Sequence, residues 1–382
     1  VRARELGIEI GVLPSGPNDA ITDVEGVRVG HATIIRGDGP LVVGEGPVRT
    51  GVTVVCPREG LARDEPVFAG CHRFNGNGEM TGLEWIREAG ALTTPVAITN
   101  THSVGVVRDA LIAAELEESP DEYWSLPVVA ETYDGTLNDI NGQHVRAEHV
   151  REALKNASGG PVAEGSVGGG TGMICHEFKG GIGTASRMIP AEQGGWTVGA
   201  LVQANYGSRP TLRVDGLPVG RVLTTDRVPS PFDEEENAQP PGTGSIIVIL
   251  ATDAPLLPIQ CDRLAIRAGV GLSRMGGGLD DGSGDIFLAF ATGNRGLPRA
   301  VLEQDVPQTV PVRMLPNERM TPLFHAAAEA TEAAILNALL AAGTVTGRDG
   351  ITARGLAPDA LLDALDEARP LAGRARPARS DP

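Results

Sequence analysis

The sequence predicts a layered α/β or α+β sandwich in preference to a barrel. Three observations carry that reading. Continuous aliphatic runs such as SIIVILATDAPL (245–256) and DIFLAFAT (285–292) suit sheets covered on both faces. Other segments repeat apolar residues three and four apart, as helices packed on a sheet do. Strands and helices alternate, but without a strict βαβ rhythm. Aromatic residues are only 3% of the chain, so the core must be built from Val, Ile, Leu and Ala. The 51 glycines mark many tight turns and close backbone approaches.

The elements follow in order. Residues 20–56 read as strands and turns: ITDVEGVRVGHATI alternates around a glycine turn, and TGVTVVCP is a β-branched run stopped by Pro57. FNGNGEMTG (74–82) is a glycine-bracketed loop, and 82–90 is a helix ended by Gly90. VAITNT (96–101) is a buried strand, followed by a helix over 103–118 with Ser103 as its N-cap. LPVVAETYDG (126–135) is a strand entering a loop, and 147–157 is a helix. A glycine-rich stretch (166–188) leads into the strand WTVGALVQANYG (196–207).

Residues 226–244, DRVPSPFDEEENAQPPGTG, break the pattern. Consecutive glutamates, several prolines and no apolar period make an exposed linker. The strand from Ser245 starts at once. A helix with Leu257, Cys261, Leu264, Ala265 and Ala268 on one face comes next. After the strand 285–292 comes a long Ala-rich helix (322–343) ending at Gly343, and residues 371–382 read as a disordered Pro- and Arg-rich tail. No repeat stands out; the length allows two or three domains or one large α/β unit, and residues 1–382 are expected to fold as a single catalytic domain.

Net charge is −17, which argues against nonspecific binding to nucleic acid or anionic membrane and mildly favours cationic ligands. There is no signal-like segment and no run of 18 apolar residues, so a soluble cytoplasmic protein is expected, with no membrane contact. Cys56, Cys71, Cys175 and Cys261 are far apart and read as reduced thiols. His144 and His149 are the nearest approach to a metal-ligand spacing, and neither a metal nor another cofactor is expected. GGGTG (168–172) resembles a phosphate loop, but no clear helix follows and no Walker lysine appears; closely packed chain turns fit better. THS (101–103) reads as a helix-capping segment more than as a catalytic His102.

The junction at 244/245 is the most informative position. Alone, it is compatible with an ordinary passage from loop to strand. The residue types also permit chemistry. Gly244 has no side chain, so a neighbouring hydroxyl can approach its carbonyl. Ser245 attacking that carbonyl would form an ester, which water would open to leave Ser245 with a free α-amine. An α-amine titrates near 7.7–8.0 and is a ready base for the hydroxyl of the same residue. Self-cleavage would divide the chain into 1–244 and 245–382, with the strand at 245–256 central between strands of the first part.

Several motifs carry a resemblance: PGTGSIIVILATDAPL around Ser245, AETYDGTLNDINGQHV (130–145), LVQANYG (201–207), TNTHSVGVVRDA (99–110), NGNGEMTG (75–82) and GSGDIFLAF (282–290). Together they resemble the self-processing serine aminopeptidases of the DmpA type, which include L-aminopeptidase/D-esterases and β-peptidyl aminopeptidases. The resemblance spans roughly residues 5–350. It implies a four-layer αββα sandwich, an analogue of the N-terminal-nucleophile hydrolases, related in fold to ornithine acetyltransferases. It implies cleavage between Gly244 and Ser245, with Ser245 as nucleophile, and a homotetramer of processed units. Ser283 would hydrogen-bond the amine or hydroxyl of Ser245, and Asp285, a glutamate in some members, would orient and charge-balance that group. Asn205 and Tyr133 would stabilise the oxyanion, and Glu131 would pair with the substrate's free amine. The substrate would be a small peptide, amide or ester with that amine free. Two alternatives are an acyltransferase of the ornithine-acetyltransferase type, which uses threonine where this chain has Ser245, and a non-catalytic, unprocessed binding protein of the same fold.

Overall fold

A computed structural model describes residues 1–120, 124–233, 244–299 and 306–372. Its elements run β1 (Arg28–Arg36), β2 (Val48–Cys56), β3 (Val67–Gly76), α1 (Leu83–Ala89), β4 (Ala91–Leu92), β5 (Val96–Asn100), α2 (Val104–Glu118), β6 (Val128–Thr132) and α3 (Ala147–Lys155). Then come β7 (Ile174–Cys175), β8 (Phe178–Lys179), β9 (Gly181–Met188), β10 (Thr197–Asn205), β11 (Gly244–Thr252), α4 (Pro258–Arg274), β12 (Ser283–Ala291), α5 (Thr321–Ala341), β13 (Val345–Thr346), β14 (Thr352–Ala353) and α6 (Pro358–Ala372).

Two sheets face each other, and helices cover both outer sides. One sheet has the order β1-β2-β5-β6, with β5 and β6 parallel. The other has the order β4-β3-β12-β11-β10-β9, with β11 and β12 parallel. The period-two alternation of strand side chains separates three cores. In β11, Ile246, Val248 and Leu250 pack towards Leu264 and Ala268 of α4 and Leu336 of α5. Ile247, Ile249 and Ala251 point the other way, between the sheets, among Ile98, Val128 and Leu288. Val52, Val54 and Ala97 meet Val107, Leu111 and Val150 of α2 and α3 on the far side. This is the four-layer αββα sandwich. Among the described residues, no helix is long and apolar enough to cross a membrane.

α5 shows why alanine dominates its sequence. It is buried along most of its length, and small side chains let it lie close to β9. Gly183 of β9 completes the fit: a Cβ there would stand 2.7 Å from the Ala338 nitrogen and 2.8 Å from its Cβ.

The structure changes several local expectations. Residues 74–76 of the supposed 74–82 loop belong to β3. Ile21–Asp23 is a 3-10 turn and not part of a strand. Ser103 does not cap α2 through its side chain; Asn100 instead accepts from the His102 N–H at 3.0 Å, capping a 3-10 turn over Thr101–Ser103 that leads into the helix. The glycines at 168–170 form a buried 3-10 turn, with a Cβ on Gly169 landing 2.7 Å from the Ile98 carbonyl, so crowding and not phosphate binding explains them. β11 is central, but its neighbours differ from the expectation. β10 lies on one side, while β12, from the same side of the 244/245 junction, lies on the other. The β11–β12 pair is what stands between β10 and β3. Of the linker at 226–244, residues 234–243 lie outside the described residues, as do 373–382 of the tail. In the described part of the linker Ser230 is buried, so that stretch is not uniformly exposed.

Candidate active site

β10 and β11 end side by side, with Asn205 directly across from Ser245. On the other flank, Ser245 lies across from Gly284 of β12. Residues paired across strands share a face. Ser245 and Asn205 therefore project into the space between the sheets, at its open end. A cleft of about 420 Å³ opens there, and Glu131, Tyr133, Asn205 and Ser245 all line it, with Thr101, Glu79, Ile174 and Phe232. Four residues singled out in the sequence thus converge from two sheets.

Ser245 is buried, at 5% exposure, and its hydroxyl lies beside the carbonyl that precedes it: Oγ donates to the Gly244 oxygen at 2.5 Å. The Gly284 N–H donates to the same Oγ at 3.2 Å. Gly244 has φ +146°, and a Cβ would come within 2.7 Å of the Asn205 carbonyl and 2.8 Å of the Tyr206 Cα. Glycine is required here by both conformation and space.

Asn205 is held at both ends of its amide. Oδ1 accepts from the Ile174 N–H at 2.8 Å, and Nδ2 donates to the Tyr133 carbonyl at 3.0 Å. These two partners fix which end is which, and one Nδ2 proton is left over for a ligand. Tyr133 meets Asn205 through its backbone. Its side chain is 44% exposed in the cleft, with the hydroxyl turned over Gly135.

Glu131 sits on β6 and is buried, at 4% exposure. Its Oε1 accepts from the Glu79 N–H at 2.9 Å and its Oε2 from the Thr101 hydroxyl at 2.5 Å. Burial raises its pKa, and the Thr101 and Glu79 hydrogen bonds oppose that rise. Gly78 allows the approach, since a Cβ there would stand 3.2 Å from Oε1.

Ser283 and Asp285 lie on β12 and not in a turn, and they bond to each other: the Ser283 hydroxyl donates to Asp285 Oδ1 at 2.6 Å. Ser283 is across from Gly244 and Asp285 across from Ile246. That puts both side chains on the helix-facing side of the sheet, opposite to the Ser245 hydroxyl. The pair therefore stands by the backbone at the Gly244–Ser245 peptide, while Gly284 serves the hydroxyl. Burial pushes Asp285 up to about 6, against the hydrogen bonds from Ser283 and the Ile246 backbone. Asn75 and Asn77 explain the NGNG motif, since their side-chain amides hold the carbonyls of residues 280–283 in place.

Sequence reasoning did not find Thr101, the Gly284 N–H, or the Ile174 N–H that orients Asn205. Thr101 stood in one of the motifs, at a strand end and cap, but was given no chemical role. The other two are backbone groups, which carry no sequence signal.

Residues 19–353 match the model of peptidase family S58. The chain belongs to peptidase family S58. Among its relatives is the beta-peptidyl aminopeptidase BapA of Sphingosinicella microcystinivorans, 50% identical over 95% of this chain and 91% of that protein. Among solved structures, a Burkholderia sp. beta-aminopeptidase superposes with a TM-score of 0.90 at 60% identity, covering 99% of this chain and 100% of the other. The L-aminopeptidase D-Ala-esterase/amidase from Ochrobactrum anthropi, described as a prototype serine aminopeptidase and a variant of the Ntn hydrolase fold, has a TM-score of 0.86 at 42% identity, over 96% and 98% of the two chains. The S58 chain is thus a hydrolase, a serine aminopeptidase with the Ntn hydrolase fold.

Proposed function

We propose that this aminopeptidase cuts itself between Gly244 and Ser245, and that the freed Ser245 removes N-terminal residues from small peptides, amides or esters whose amine is free. The observation that carries the reading is the Ser245 hydroxyl, 2.5 Å from the Gly244 carbonyl oxygen in the same cleft as Glu131 and Asn205. In the first reaction Oγ attacks the Gly244 carbonyl carbon. The C–N bond breaks, the proton from Oγ passes to the departing nitrogen, which becomes the α-amine, and water hydrolyses the resulting ester. In each later turnover that amine takes the Oγ proton as Oγ attacks the substrate carbonyl. Asn205 Nδ2 donates to the oxyanion, and the ammonium returns the proton to the leaving amine. Water then opens the acyl-enzyme. Ser283 and Asp285, on the backbone side of Ser245, hold the amine. Glu131 takes the substrate's ammonium, which restricts attack to the first peptide bond. Tyr133 closes the cleft wall beside the oxyanion.

Because the two β-aminopeptidase relatives share 50% and 60% identity with the chain, we place N-terminal β-amino acid residues among its substrates. The processed units assemble as a homotetramer; exposed Ile259 and Val270 of α4 offer apolar surface for it. Four unpaired thiols suit the reducing cytoplasm, where we place the enzyme.

The test is a denaturing gel with Edman sequencing. Wild-type protein should give two bands, the smaller reading SIIVIL, and Ser245→Ala should give one folded, inactive chain. Cleavage of Ser245→Ala at the same bond would remove Ser245 from its assigned role.

A further inference from the structure

Thr101 belongs to a segment that no catalytic step has so far used. It follows the last residue of β5, where Asn100 caps the turn and donates its Nδ2 to Thr50 Oγ1 at 2.8 Å. β5 and β6 run parallel with Thr99 across from Glu131, so the turn carries Thr101 to the Glu131 carboxylate. Its hydroxyl donates to Oε2 at 2.5 Å, while the Glu79 N–H donates to Oε1. Each oxygen keeps a lone pair for the cleft.

We propose that Thr101 is a positioning residue for substrate recognition: its hydroxyl fixes the orientation of Glu131 and keeps that carboxylate ionised to receive the substrate's primary ammonium. The inference rests on Glu131 being the amine anchor. A carboxylate at 4% exposure needs hydrogen bonds to stay charged. Two donors supply them, and Thr101 is the one contributed by a side chain. The charged groups that act on Glu131 are few. Glu79 opposes its ionisation, and His102, exposed on the same turn as Thr101, supports it. Burial is the largest influence, and it favours the neutral acid. The sign follows. Loss of the Thr101 hydroxyl leaves burial less opposed, so Glu131 becomes neutral at a higher pH, and the acid limb of kcat/KM moves up.

The experiment compares Thr101→Ala, Thr101→Ser and Glu131→Gln with the wild type on a free-amine β-amino acid p-nitroanilide. Thr101→Ala should raise KM about tenfold or more, the scale of a hydrogen bond to a charged group, with kcat changed much less. It should also shift the acid limb of kcat/KM to higher pH. Thr101→Ser keeps the hydroxyl and should restore both. Each variant is assayed as fully processed enzyme, its two bands checked on a denaturing gel beforehand, so that KM and the acid limb report on substrate recognition alone. If Glu131→Gln raises KM strongly but Thr101→Ala leaves KM and the acid limb alone, the positioning role is wrong. If Glu131→Gln has no effect on KM, the anchor assignment itself fails. Should Thr101→Ala not fold, a Thr101→Ser protein with a weakened KM despite its hydroxyl would equally overturn the role.

Discussion

At the scale of single residues, the cleft is built from groups whose hydrogen bonds are nearly all committed, so each leftover valence has meaning. Asn205 has one proton free after serving Ile174 and Tyr133. Asn205→Asp keeps the acceptor for Ile174 but removes both amide donors. It should lower kcat by roughly 10²–10³, the usual effect of losing one oxyanion donor, with little change in KM. Steady-state kinetics on the processed enzyme check this. Asp134, beside Tyr133, makes a different prediction. It is fully buried, and burial pushes it up to about 7 from 3.8, against bonds from Thr50, Asn138 and Asn100. A carboxyl with a raised folded pKa favours the fold below its unfolded value, and that contribution is lost as pH rises through the folded one. Stability should therefore fall between about pH 4 and 7 by a few kcal/mol from this group. Asp134→Asn should flatten that slope in urea unfolding. An unchanged slope would remove Asp134 as its source. The sequence made the side-chain part of this site legible, because Glu131, Tyr133, Asn205 and Ser245 are chemically distinctive and stand in recognisable motifs. It could not show the Gly284 and Ile174 N–H groups, which any residue but proline could supply. Nor could it show that Ser283 and Asp285 face away from the Ser245 hydroxyl, because that depends on strand register.

Elements bring these residues together through glycine. The strands were readable as aliphatic runs and α5 as an alanine-rich stretch. Their order in the sheets was not, because pairing is decided by contacts between distant segments. The β11–β12 neighbourhood is the clearest case: a continuous apolar run predicts a central strand but not its partners. What sequence does carry is the need for close approach. Gly244 is the sharpest instance, with φ +146° and the Asn205 carbonyl 2.7 Å from where a Cβ would stand. Gly244→Ala should slow self-cleavage at least tenfold, because the residue must leave the geometry that sets its carbonyl beside Ser245 Oγ. The fraction of intact chain over time, read on a gel, measures it. Gly183→Val tests packing and not chemistry. It forces bulk against Ala338 of α5 and should destabilise the fold by about 1–3 kcal/mol or more. Activity per folded molecule should be unaffected.

For the whole molecule, the layered architecture decides what the proposed self-cleavage would do to the fold. The segment from Ser245 onward supplies β11, β12, α4 and α5. β11 is paired along its length with β10, and β12 with β3, so both strand partners across the cut come from residues 1–244. The cores follow the same division. α5 packs against β9 and β10, and Asn337 of α5 accepts from the Ala3 N–H at 3.0 Å and donates to the Thr184 carbonyl at 2.9 Å. The core between the four-stranded sheet and α2 and α3 belongs to residues 1–244 alone, but the two cores flanking the six-stranded sheet are shared, since that sheet is interleaved from both fragments. Cutting one peptide bond at the mouth of the cleft frees two chain ends without removing any of these contacts. The processed enzyme should therefore run as two bands on a denaturing gel yet elute as one species in native size exclusion. It should also unfold in a single thermal transition, close to that of uncleaved Ser245→Ala. Two separate transitions, or a free fragment in the native run, would mean that the halves hold independent cores, which the interleaved strand order contradicts.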